Sequence, residues 1–372
     1  MLQARQQETN LLQDADGRAN DAVLELTKDA GVSMKYLKKL KFRRFLRKAV
    51  GLSKADASSK EFNAIKWYVK QNGYNLSRSV FELIKTLPTV KDPVQAELKS
   101  KCSTQDDIES DWFRYWMAEL RLAPLPHRKL WEFAFVLQNL YQSGFLKPGL
   151  SGIGFGCGEE PLPSYFASRG IRVTVTDLHP EAVAGLGWAE SGQHASSLMS
   201  SFSEKIIDRS EFERLVSLSY VDMNDIPRDL NQDFDFCWSV CALEHLGSIQ
   251  NGMNFIHNSL SVLKPGGLAL HTTEFNYSET DLTIEGGPTV LFLRKHFELL
   301  AEQLTEAGHF VMPLDFSVGD KPLDAFVDLP PYGTQPFSTR ASEGDDEFRP
   351  GHLKLSVGGF PSTWFGIVIR KQ

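Results

Sequence analysis

The chain has 372 residues, 42% of them hydrophobic, and a formal net charge of -7, enough material for one large core plus a smaller subdomain or cap. No run approaches the roughly 18 apolar residues of a membrane span, and the opening MLQARQQETN lacks a signal peptide's apolar stretch, so we expect a cytoplasmic protein. The four cysteines, Cys102, Cys157, Cys237 and Cys241, match neither a zinc spacing nor a disulfide framework and are expected to be reduced and mostly buried.

Residues 1–60 carry 13 Lys and Arg against 7 Asp and Glu, which is +6 there and -13 over the remainder. The excess is concentrated in MKYLKKLKFRRFLRKAV, where the eight basic residues between Lys35 and Lys48 occur without one acid. Residues 34–48 suit peripheral contact with an anionic membrane face, a charged glycan or nucleic acid. A solvated basic helix accounts for them equally well, because Leu37, Leu40, Phe42, Phe45 and Leu46 spread round the helical wheel. The acidic remainder argues against a long nucleic-acid footprint.

Residues 1–105 read as a helical, partly basic extension, with SKADASSKEF as a linker. Residues 106–148 form an aromatic helical cap, in which Trp112, Tyr115, Trp116, Trp131, Phe135 and Leu137 fall at helical spacing and suit a core. After Pro148 short apolar runs alternate with helical stretches. The strand candidates are LSGIGFG, IRVTVTDL, LSYVDM, FDFCWSV, GLALHTT, HFVMPLDFS and TWFGIVIRK, with helices starting near Pro161, Glu181, Ser248 and Thr289. That order predicts an α/β fold, a doubly wound Rossmann-like sheet of seven strands, whose ligand sits at the carboxyl ends of the strands. We expect the core to span 149–315, and 316–372 to hold a lid insertion and the last strand.

The first of these strands runs into GLSGIGFGCGEEPL, with Gly152, Gly154, Gly156 and Gly158 at alternate positions. Such glycines free the backbone and remove side chains that would obstruct a ligand lying along it. Pro161 then suits a first helical turn. A dinucleotide site asks for G-x-G-x-x-G, whereas here Glu159 holds the last glycine's place and Glu160 follows. Two carboxylates beside a pyrophosphate would repel it but would favour a cationic amine, so the loop points away from NAD.

Gly154, Gly156 and Gly158, then Asp177, Asp222, CALEHL and LKPGG, resemble the ordered motifs of class I S-adenosylmethionine-dependent methyltransferases over roughly residues 130–311. The resemblance implies S-adenosyl-L-methionine as cofactor, with the glycine loop against its methionine part. It also implies Asp177 on the ribose hydroxyls with Leu178 beside it, Asp222 facing the adenine amino group with Met223 packed nearby, and Ser239 at the cofactor site. The family usually has an acid two residues before the first loop glycine, where it holds the cofactor's amine; this chain has Gly152, and Glu159 or Glu160 is expected to take over part of that task. The DLPPY stretch at 328–332 resembles the D-P-P-Y element of amino-methylating nucleic-acid enzymes but lies about ninety residues too late, so it reads as loop.

Methyl transfer from a sulfonium is an in-line displacement, and a hydroxyl acceptor needs its proton removed. Glu244 and His245 after the fourth strand and Glu274 in HTTEFN after the fifth are the catalytic candidates, with His245 as base. His194 and His352 read as surface or rim residues, and no acidic cluster spaced for a magnesium ion accompanies CALEHL, so no metal is expected. The aromatic segment and the insertion carrying SEGDDEFRP are placed to form lids over the strand ends. GEEPLPSYFASRG, TDLHPEA and TTEFN also resemble bacterial methyltransferases associated with surface-polysaccharide assembly, which implies a glycan or glycan-precursor hydroxyl as acceptor. A nitrogen or small non-sugar acceptor, and a non-catalytic cofactor-binding subunit, are the alternatives.

Overall fold

The computed structural model describes residues 34–97, 99–180, 197–332 and 351–372, with side chains from Lys60 onward. His194, the helix near Glu181, SEGDDEFRP and the basic run's side chains lie outside the described residues. The chain divides into two compact units, Met1–Trp67 and Tyr68–Gln372. In the first, the described backbone is the opening of helix α1 (Met34–Thr86). The linker expected at SKADASSKEF is part of that helix, since the stretch contains neither Gly nor Pro to break it.

Among the described residues, the second unit is built on one sheet of eleven strands. Its parallel portion runs β4 (Val216–Tyr220), β3 (Arg172–Asp177), β2 (Ser151–Phe155), β5 (Phe234–Val240) and β6 (Leu263–Asn276). The chain moves outward from β2 to β4 and returns to β5 beside β2, so the order reverses between β2 and β5, where such sheets bind ligands. β11 (Phe360–Arg370) pairs antiparallel with β6, and β7 (Phe310–Val311) pairs with β11. The doubly wound α/β fold is as expected; the count of seven strands is not. HFVMPLDFS splits into β7 and β8 (Leu314–Asp315), and β1 (Ser100–Cys102), β9 (Val327–Asp328) and β10 (Lys354–Val357) add further pairings. Strands of two to four residues are too short to show an alternating pattern.

The helices α2 (Gln105–Glu109), α3 (Asp111–Glu119) and α4 (Arg128–Gln142) come from the aromatic segment. Every residue of α4 from Leu130 to Leu140 is buried, and the helix packs on β5, β6 and β11. The Phe135 ring lies 2.3 Å from where a Cβ on Gly366 would be, so β11 needs glycine there for the helix to seat. Trp112, Trp116, Trp131, Phe135 and Leu137 are core, with Tyr115 half-buried against them. The segment is thus a layer on the sheet face instead of a lid over the strand ends.

Among the described residues, three helices connect the strands: α5 (Leu162–Ser168) follows β2, α6 (Arg209–Leu215) precedes β4, and α7 (Ile249–Ser259) joins β5 to β6. Ser248 caps α7 by accepting from the Asn251 amide. The helix expected near Thr289 is α8 (Arg294–Glu306); residues 289–293 are an extended loop. His352, expected at the rim, is buried, and its Nδ1 lies 2.9 Å from Asp328 Oδ2. No helix among the described residues is long and apolar enough to cross a membrane.

Candidate functional site

Beyond β2 the backbone enters the left-handed region twice, at Gly156 (φ +61°) and Gly158 (φ +52°), where a side chain would be strained. A Cβ on Gly156 would lie 2.8 Å from Ala242 Cβ and 3.5 Å from Met223 Sδ, so the ends of β2, β4 and β5 meet at this glycine. Gly154 is equally obligatory, because a Cβ there would sit 2.3 Å from both Cys157 Sγ and the Trp238 ring. Asp177 ends β3 with its carboxylate against the loop: Oδ2 accepts from the Gly158 amide at 3.2 Å and Oδ1 from the Leu178 amide at 2.9 Å. The loop and the acid expected to grip the ribose are therefore one hydrogen-bonded unit.

The missing acid has a steric cause. A Cβ on Gly152 would lie 2.4 Å from the Phe236 ring, which occupies the space. Of the two loop carboxylates, Glu160 is the buried one, accepting from Trp238 Nε1 at 3.0 Å, while Glu159 is half-buried. Burial pushes the Glu160 carboxyl up to about 8 against the pull of the Lys129 ammonium. Met223 is buried beside the loop, and Asp222 is exposed, its Oδ1 accepting from the Asn224 amide at 2.8 Å. Ser239 is wholly buried, with its hydroxyl engaged with His271 Nδ1 at 2.8 Å.

Where β5 ends, Cys241 takes a left-handed conformation (φ +55°) rare for a residue with a side chain, the kind of local strain that clusters at functional sites. Its sulfur receives Arg128 Nη1 at 3.4 Å and Trp364 Nε1 at 3.5 Å, and the Arg128 guanidinium lies over the Trp364 ring at 4.1 Å. Glu132, one turn along α4 from Arg128, accepts from Thr272 Oγ1 and lies 3.8 Å from both Arg128 Nη1 and Lys129 Nζ. Glu244 accepts from Thr273 Oγ1 at 3.1 Å. Ligand atoms of Cys241, Glu244 and Glu274 all lie within 4.8 Å of one another, a grouping that spacing along the chain did not show.

Eight buried side-chain polar atoms among the described residues have no hydrogen-bond partner, and four of them are Arg128 Nε, Glu132 Oε1, Glu244 Oε1 and Glu274 Oε2. Each such atom costs roughly 1–3 kcal/mol unless something satisfies it. Burial first and the Glu244 carboxylate second push Glu274 up to about 8. His245 sits on the adjoining turn with Nδ1 2.8 Å from the Pro288 carbonyl oxygen. A carbonyl only accepts, so this contact needs a proton on Nδ1, which directs Nε2 away from Pro288. A groove of about 430 Å³ lined by Ala167, Gly170, Lys205 and Arg214 lies towards the amino end of β3 and carries none of these groups.

The sequence reading missed Arg128, Lys129, Glu132, Cys241 and Trp364. The available signal was the R-K-x-x-E spacing at the start of a helix, which places three charges on one turn.

Residues 153–271 match the family model of a methyltransferase domain. Those residues carry a methyltransferase domain. The match takes in the glycine loop, Asp177, Asp222 and the Cys241–His245 turn, but not Arg128, Lys129, Glu132, Glu274 or Trp364. Among solved structures, the chain is similar to an S-adenosylmethionine-dependent methyltransferase from Aquifex aeolicus, at 16% identity over 63% of this chain and 89% of that one, TM-score 0.32. A second, from Mesorhizobium loti, is 12% identical over 60% and 92%, TM-score 0.34. A glycopeptide N-methyltransferase complexed with sinefungin is 12% identical over 63% and 92%, TM-score 0.34. A search of curated proteins found no match.

Proposed function

We propose that this methyltransferase O-methylates a glycan or glycan precursor. The observation that carries this reading is the set of buried carboxylates with an oxygen that has no hydrogen-bond partner, Glu132, Glu244 and Glu274, where β5 and β6 end. A polyhydroxylated acceptor supplies the donors those oxygens lack. In this account Asp177 binds the ribose hydroxyls, Asp222 faces the adenine, and Glu160, in place of the absent acid at 152, faces the methionine ammonium. His245 Nε2 takes the acceptor proton while the acceptor oxygen bonds to the sulfonium methyl carbon and S-adenosylhomocysteine leaves. Residues 34–48 hold the protein against an anionic membrane face, where glycan precursors on lipid carriers would be met.

Transfer to nitrogen is the second reading, favoured by the same carboxylates, which would also receive a protonated amine. Acceptor trials with methyl-labelled cofactor separate the two. Label is expected in saccharides and nucleotide sugars lacking amines. Label confined to amines, with saccharides unmodified, would replace the first reading by the second.

A further inference from the structure

We propose that Cys241, Glu244 and Glu274 form a binding site for a divalent transition-metal cation of the zinc class. The three come from one fold corner: Cys241 from the end of β5, Glu244 three residues on, and Glu274 from the adjacent strand β6. Their ligand atoms already lie within 4.8 Å of one another. Two of them also bring the independent feature that points to a ligand: Glu244 is 0% and Glu274 7% exposed, yet Glu244 Oε1 and Glu274 Oε2 have no partner. Most buried polar atoms are satisfied, and a cation held by Glu244 Oε1 and Glu274 Oε2 would satisfy these two and leave Glu132 Oε1 to the acceptor.

The chemistry of the donors selects the guest. One thiolate and two carboxylates are a mixed sulfur and oxygen set, which suits Zn²⁺ or its analogue Co²⁺ and not Mg²⁺ or Ca²⁺, which prefer oxygen alone. Three protein ligands with a fourth position open is the arrangement of a zinc site that receives a substrate. The surrounding groups fit too. Arg128 Nη1 and Trp364 Nε1 both donate to Cys241 Sγ, and Thr273 Oγ1 donates to Glu244 Oε2, which are the outer contacts that orient metal ligands.

Binding the cation through the Cys241 thiolate would release the thiol proton. Where the acceptor is a hydroxyl, as we propose above, the open position would receive its oxygen and make that proton easier to remove. The metal site itself does not depend on that reading.

The test uses the full chain after chelator treatment and the metal alone, with neither cofactor nor acceptor. Equilibrium dialysis against Zn²⁺ should give one equivalent bound, and Co²⁺ should produce a near-ultraviolet sulfur-to-cobalt charge-transfer band. Cys241→Ser should abolish the band, and Glu244→Gln and Glu274→Gln, isosteric and checked for an unchanged circular dichroism spectrum, should each weaken Zn²⁺ by about tenfold or more. Glu298→Gln, on the exposed face of α8, should leave both unchanged. Absence of saturable Zn²⁺ binding, a Co²⁺ complex without the band, or binding insensitive to all three variants would overturn the proposal. Failed acceptor trials would leave the result standing, so the two readings fail separately.

Discussion

At the residue scale, the methionine end of the cofactor is decided between two adjacent carboxylates. Glu160 is buried between Trp238 and the field of Lys129, whereas Glu159 is half-buried. Glu160→Gln should weaken S-adenosylmethionine by about 1.5–3 kcal/mol, the scale of a hydrogen bond to a charged group, with Glu159→Gln nearly neutral. Calorimetry on both variants checks this, and the reverse ranking would move the ammonium to Glu159. His245→Ala should lower kcat by about 10²- to 10⁴-fold with cofactor affinity almost unchanged, since the base touches the acceptor and not the cofactor. A stable variant keeping more than about a tenth of parental turnover would remove His245 from the base role. Asp177, the glycines and the Glu244–His245 turn were readable because the family's motifs place them in a fixed order. Arg128, Glu132 and Trp364 were not, because they lie 113, 109 and 123 residues from Cys241 along the chain. Only the packing of α4 and β11 against β5 and β6 brings them to it.

Elements make a different set of expectations. His271 lies inside β6 with Nδ1 near Ser239 and Nε2 near Ser259, and burial holds it down to about 3. His127, half-buried, and His352, buried, are also held below the ordinary histidine range, chiefly by desolvation. A histidine whose folded value is depressed contributes stability above its unfolded value of about 6.5 and loses it as pH falls towards the folded value. Thermal unfolding between pH 7 and 5 should therefore show stability falling by up to about 1.4 kcal/mol per pH unit for each such proton, and His271→Gln should make the slope shallower. An unchanged slope would mean His271 titrates normally in the fold. For α1, removing the first 50 residues should abolish co-sedimentation with anionic vesicles, and added salt should do the same to the full chain. Unchanged co-sedimentation of the shortened protein would end the tether proposal. The sheet's parallel half was legible because strands buried on both faces read as apolar runs. The SKADASSKEF linker was misjudged because polar composition alone does not interrupt a helix that contains no Gly or Pro.

On the scale of the whole molecule, the function we propose divides two tasks between the carboxyl ends of one sheet. β2, β3 and β4 present the loop, Asp177 and the Asp222–Met223 corner, all within the matched domain, while β5 and β6 with α4 and β11 present the carboxylate and sulfur cluster, much of it outside that domain. The first half repeats a family pattern and was readable from spacing; the second depends on how this chain covers its own sheet. The central claim is that the Gly154–Gly158 loop and Asp177 together hold S-adenosylmethionine. Titration calorimetry of S-adenosylhomocysteine and NAD into the parent and into Asp177→Ala tests it most directly. The account predicts one equivalent of S-adenosylhomocysteine on the parent, a loss of about 1.5–3 kcal/mol in Asp177→Ala, and no saturable heat from NAD. Equal affinity in the two proteins, or NAD binding in preference, would contradict it.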